Sequence, residues 1–183
     1  MTTQLLPVTS AKRIGRLARI AEAIAMAAII GVLLYVVYVA VFPAELRAMM
    51  LLGIPSPITE PPVWVFGLAS LLTAIPAGLF VVSMWQVRKL FRYLAQGSFA
   101  DAGFTTTLRR LGWLAVCGGV VGFAVRTLVP LLMPVANPPG QKMLIIEFNS
   151  GQVASLIMGL LFLVFTHVFA EVTRMAEENR SFI

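Results

Sequence analysis

The chain has 183 residues, of which 59% are hydrophobic and only 12% charged, with 14 Lys+Arg against 8 Asp+Glu for a net charge of +6. Soluble domains carry about 25% charged residues, so this composition cannot cover a water-facing surface. A soluble enzyme, a secreted disulfide scaffold and a disordered tail are excluded, which leaves a polytopic all-α membrane protein forming one integral domain over residues 1–183.

The leader opens as a basic amphipathic helix. Ile14, Leu17, Ala18 and Ala21 follow the spacing i, i+3, i+4, i+7, Lys12, Arg13, Arg16 and Arg19 lie off that stripe, and Ser10 is the expected N-cap. Glu22 stands at the entrance of the first span and is expected to reach water or Arg19. Four stretches then reach the roughly 20 apolar residues that a bilayer requires: about 20–42, 63–85, 111–133 and 148–170. The first is too long for a signal-peptide core of about 7–15 residues. The connection 42–62 carries Pro43, Pro55, Pro57, Pro61 and Pro62, and 133–141 carries Pro134 and Asn137-Pro138-Pro139-Gly140. Both are expected as ordered turns and not helix. Pro76, inside the second span, should kink it.

The segment 86–110 repeats the leader's pattern. Val87, Leu90, Phe91 and Leu94 form an apolar stripe beside Arg88, Lys89 and Arg92; Gly97 should end that helix, and Asp101 should cap the next, which carries Arg109 and Arg110 toward Trp113 at the interface. The tail 171–183 reads as a polar helix with Glu171, Arg174 and Glu178 able to pair along one face, Asn179 as a cap residue, and Ser181-Phe182-Ile183 beyond. Eleven of the basic residues fall in the leader, the 86–110 segment and the tail, against Arg47 and Lys142 in the other two loops. Basic loops stay cytoplasmic, so the spans form two hairpins with both termini inside, in a cell inner membrane. The basic balance points to anionic membrane lipid and not to direct nucleic-acid binding.

Small residues at four-residue spacing suit close helix packing in lipid: Ser70, Ala74 and Gly78; Gly118 and Gly122, beside Gly119; Gly151, Ser155 and Gly159. Packing within a four-helix bundle satisfies these faces first, and a homo-oligomer is the other use. Cys117 cannot form an internal disulfide and reads as a small buried hydrophobe. Arg126 lies about 20 Å along the helix beyond Trp113, and a central arginine costs about 2.5–3.5 kcal/mol on insertion scales. Glu147 is its expected intramembrane partner, with Asn149 and Gln152 as further acceptors. The pair reads as a structural ion pair first, and as the polar site of a small transporter or channel second.

His167 is the sole histidine, so a metal or haem site lacks ligands and no cofactor is expected. The chain has no G-x-S-x-G, P-loop, H-E-x-x-H or CxxC, and no enzymatic activity is expected. The basic residues Arg88, Lys89, Arg92, Arg109 and Arg110, with Glu177, Glu178 and Phe182 of the tail, are the candidate partner-binding set. Contact with lipid phosphates explains the same spacing of the arginines and is the weightier reading of them.

Two segments resemble a known family. They are Leu90-Phe91-Arg92-Tyr93-Leu94-Ala95-Gln96-Gly97-Ser98-Phe99, followed by Leu108-Arg109-Arg110-Leu111-Gly112-Trp113, and the ending Ala176-Glu177-Glu178-Asn179-Arg180-Ser181-Phe182-Ile183. Together they are similar to a bacterial family of small four-span membrane proteins catalogued as a domain of unknown function. Its members often carry an LF-x-x-y-x-x-G-x-x-F loop and an EEN-x-x-x-I end. Arg180-Ser181-Phe182 departs from its more usual tail. The family has no established catalytic residues. Its members are often encoded beside a Cro/C1-type helix-turn-helix regulator, so the resemblance implies a regulatory membrane component with such a cytoplasmic partner.

Overall fold

The structure, a computed structural model, describes residues 8–51, 61–96, 101–137 and 149–181, with the backbone alone for 8–14, 49 and 176–181. The described residues are helical almost throughout and include no strand: α1 (Val8–Val41), α2 (Pro43–Leu51), α3 (Val63–Ala95), α4 (Ala102–Leu132), a 3-10 turn (Met133–Ala136) and α5 (Ser150–Ser181). Helices α1, α3, α4 and α5 are long and apolar enough to cross a membrane.

Local chemistry explains most boundaries. Asp101 caps α4 as expected: its backbone is extended and its Oδ1 accepts from the Gly103 N–H at 2.9 Å. Ser10, by contrast, lies inside α1, which is already helical at Val8; no glycine or proline between them holds the helix start back. The expectation of turns over 42–62 is corrected by α2. Pro43 occupies its first position, where a missing N–H costs nothing, and the next eight residues hold no proline. Pro134 sits in the 3-10 turn. Helix α3 runs through Pro76 without a break. It closes on Gln96, whose N–H donates to the Arg92 carbonyl at 3.1 Å; Gly97 lies outside the described residues. Helix α5 continues through Asn179 to Ser181, so Asn179 is not its cap.

The long helices pack in chain order: α1 on α3, α3 on α4, α4 on α5. Helix α1 presents Ala18, Ala25 and Ile29 to the protein and leaves Leu17, Leu34 and Val37 exposed. Helices α3, α4 and α5 surround a cavity of about 490 Å³ bordered by Pro76, Ser83, Gly118, Gln152 and Ser155. One core cluster joins Val65, Ala69 and Met133 with Met50 and Phe66 at the end of the molecule that holds α2. At the opposite end Phe104 meets Phe169 edge to face, 5.3 Å between ring centres.

Glycine sets the α4–α5 approach, at positions partly different from those expected. A Cβ on Gly112 would stand 2.9 Å from Leu163 Cγ, one on Gly119 2.8 Å from Leu156 Cγ, and one on Gly159 2.8 Å from the Gly112 carbonyl. The α4 contact face therefore runs Gly112, Val116, Gly119, at the seven-residue repeat of coiled-coil packing, and not along Gly118 and Gly122. Gly118 would bring its Cβ only within 3.9 Å of Ser155 Oγ, and Gly78 meets nothing within 4 Å. Ser155 Oγ donates across the interface to the Ala115 carbonyl at 2.8 Å. Cys117 is exposed and not buried, because it falls just off this contact face.

Candidate functional site

The antiparallel packing brings the start of α1, the end of α3, the start of α4 and the far part of α5 to one end. The basic residues of three segments meet there. Glu22 lies on the face of α1 that holds Ala18 and Ala25, so it points at α3 and not along its own helix. Its Oε1 accepts from Arg88 Nε at 2.8 Å and from Arg92 Nε at 2.9 Å. Arg92 Nη2 also stands 2.9 Å from the same oxygen. The expected partner Arg19 instead donates its Nε to the Gly15 carbonyl at 3.3 Å. Arg88 is mostly covered, 21% exposed at its side chain, whereas Arg92 is 53% exposed. The Arg88 guanidinium also stands 5.5 Å from the Trp85 ring centre, within cation–π range. Two members of the expected partner-binding set are thus engaged in holding α3 to α1.

Lys89, Arg92 and Arg110 line a cavity of about 560 Å³ between α3 and α4. Gln86 forms its inner wall. That side chain is only 9% exposed, and its Oε1 is buried with no hydrogen-bond partner. Thr106 and Thr107 also border it, but their hydroxyls donate to the Ala102 and Gly103 carbonyls, both at 2.8 Å. Tyr93 closes another side against Gly103; a Cβ there would come within 2.5 Å of the phenol oxygen. A side chain at position 103 would therefore make Tyr93 shift. Among the described residues, none that lines this cavity is acidic.

Arg109 turns to the other side of α4. It borders a second cavity, of about 480 Å³, with Thr105, Thr166, His167 and Arg174. Arg174 Nη2 donates to Glu171 Oε1 at 2.7 Å, the i, i+3 pairing expected of the tail. Glu177 and Glu178 lie on the described backbone of α5, their side chains outside the described residues, as is Phe182 altogether. Arg126 is exposed on α4, and Glu147 is outside the described residues. No group of three or more His, Cys, Asp or Glu among the described residues is arranged to hold a metal.

Sequence reasoning placed Glu22 at this end but gave it the wrong partner, and it missed Gln86. The signal for Glu22 was its i+4 spacing from Ala18. Gln86 follows Trp85 and opens the basic run, but nothing in its spacing marks it as buried.

A family model described as a protein of unknown function (DUF2975) matches residues 54–183. The match takes in α3, α4 and α5, hence Arg88, Arg92 and the α3–α4 cavity, and leaves out Glu22 on α1. No curated protein and no solved structure matches the chain.

Proposed function

The chain belongs to the DUF2975 family of proteins of unknown function, and from that premise we propose that it is a non-enzymatic component of a bacterial inner membrane that presents its basic end to a cytoplasmic partner. Both termini and the α3–α4 connection face the cytoplasm, following the bias of basic residues toward that side. The observation that carries this reading is the gathering of Arg88, Lys89, Arg92, Arg109 and Arg110 at one end. Of these, Arg88 and Arg92 are tied to Glu22, while Arg109 and Arg110 are exposed on α4. An exposed cationic surface at the mouth of a helical protein steers acidic partners toward it. The partner's class is the one the resemblance implies, a small helix-turn-helix regulator held at or released from the membrane. It would be met by these arginines together with Glu177, Glu178 and Phe182 of the tail.

The test is chemical crosslinking in native membranes of the tagged full-length protein, followed by purification and mass spectrometry. A small DNA-binding protein should be recovered, and its recovery should be lost when Arg109 and Arg110 are both changed to Glu or when residues 177–183 are removed. Recovery that survives both changes would overturn the reading. So would recovery of lipid and the chain alone, with liposome flux that disappears in Arg126→Ala; that pair of results would establish the transport alternative centred on Arg126 and Glu147.

A further inference from the structure

The α3–α4 cavity has the makings of a ligand site independent of any protein partner. Its volume, about 560 Å³, falls in the range of small-molecule pockets. Three cations border it, Lys89, Arg92 and Arg110, with no acidic residue among the described residues of the lining. Only Arg92 among them shares its charge with Glu22. This cationic wall calls for an anion. The inner wall calls for something else: Gln86 Oε1 is an acceptor, buried and without a donor, and an unsatisfied buried acceptor costs free energy that a bound donor would recover. The threonine hydroxyls cannot supply it, since both donate to their own helix. The complementary ligand is therefore an anion that also carries a hydrogen-bond donor.

Depth narrows the source. Trp85 precedes Gln86 and Trp113 lies one turn beyond Arg110, and both are exposed. Exposed tryptophans in a membrane-spanning helix mark the headgroup level, and basic pockets between such helices bind anionic headgroups. We infer that the cavity between α3 and α4 binds the headgroup of an anionic glycerophospholipid, its phosphate diester held by Lys89, Arg92 and Arg110 and a headgroup hydroxyl donating to Gln86 Oε1. Phosphatidylglycerol has this chemistry. Phosphatidylmethanol has the same charge and lacks the hydroxyl. Glycerol 3-phosphate offers a phosphate and hydroxyls without acyl chains.

The experiment is native mass spectrometry and thermal unfolding of the full-length protein in detergent, with each of these three compounds added. Phosphatidylglycerol should bind and raise the unfolding midpoint, more strongly than phosphatidylmethanol and far more strongly than glycerol 3-phosphate. Lys89→Gln and Arg110→Gln should each weaken phosphatidylglycerol binding about fivefold. Arg47→Gln, at the opposite end of the molecule, should leave it unchanged. Gln86→Leu should abolish the preference for phosphatidylglycerol over phosphatidylmethanol. Unfolding of each variant without lipid identifies any change that acts through folding, and the Arg110→Gln and Arg47→Gln comparison stands if another variant is lost. Equal binding by Arg47→Gln and Arg110→Gln, or an undiminished preference in Gln86→Leu, would overturn the site. Stabilisation by glycerol 3-phosphate equal to that by the lipid would overturn its assignment to lipid.

Discussion

At the scale of single residues, the account turns on one carboxylate and three glycines. Glu22 accepts from two arginines that lie 66 and 70 residues later in the chain, with distances of 2.8 and 2.9 Å. Such contacts couple, so their removal is not additive. Glu22→Gln and Arg88→Gln should each lower the unfolding midpoint, and the double variant should fall no further than the worse single one. Thermal unfolding in detergent checks this, and additive losses would show that the pair is not an energetic unit. The glycines make a sharper contrast. A methyl group on Gly159 would meet backbone, the Gly112 carbonyl at 2.8 Å, which cannot rotate away. Gly159→Ala should cost about 1–3 kcal/mol, the usual range for overpacking. Gly118→Ala meets only Ser155 Oγ at 3.9 Å and should be neutral or slightly stabilising, since alanine favours helix by about 1 kcal/mol over glycine. Unfolding of the two variants side by side decides the matter. Four-residue spacing alone marks Gly118 as readily as Gly159. What separates them is which faces of α4 and α5 turn toward each other, and that is a property of the packed pair.

At the scale of elements, boundaries carried by local chemistry were legible and those set by packing were not. The four long helices follow from apolar length, and the α4 start follows from Asp101, whose side chain reaches a free N–H of the first turn. Asp101→Ala should cost about 1 kcal/mol and Asp101→Asn much less, measurable as a shift in the unfolding midpoint. Helix α2 was missed because the prolines of its connection were weighed together. Pro43 stands where a helix tolerates it, and the others begin only at Pro55. Of the leader's apolar stripe, Leu17 is exposed at 66% and Ala18 buried at 5%, with Ala25 on the same side as Ala18, so only part of that stripe packs on the protein. In lipid a helix has little hydrophobic reason to turn leucine inward, and small residues that permit close approach take the contact face. The same reason places Cys117 outward. Ser155→Ala removes the hydrogen bond to the Ala115 carbonyl and should cost about 0.6 kcal/mol, the average for such bonds between membrane helices; unfolding in detergent would read it.

At the scale of the whole molecule, the apolar belt and the charge distribution agree. Leu34, Trp113 and Ile157 are 64%, 57% and 62% exposed, a surface that suits lipid and not water. Arg88, Lys89, Arg92, Arg109, Arg110 and Arg174 lie at one end, and Arg47 stacks over Phe66 at the other, 5.1 Å from the ring centre. The partner-binding set was legible as a cluster of charges along the chain. Its division was not, because only the folded helices show that Arg88 and Arg92 serve Glu22, that Arg110 borders the cavity with Gln86 and that Arg109 faces His167. The proposed presentation of this end to a cytoplasmic partner requires it to face the cytoplasm. The most direct measurement is cysteine accessibility in a Cys117→Ser background, with a membrane-impermeant thiol reagent applied to spheroplasts and to inverted membrane vesicles. Arg47→Cys should label in spheroplasts, and Arg109→Cys only in inverted vesicles. The opposite pattern would place the basic end outside the cell and contradict the account.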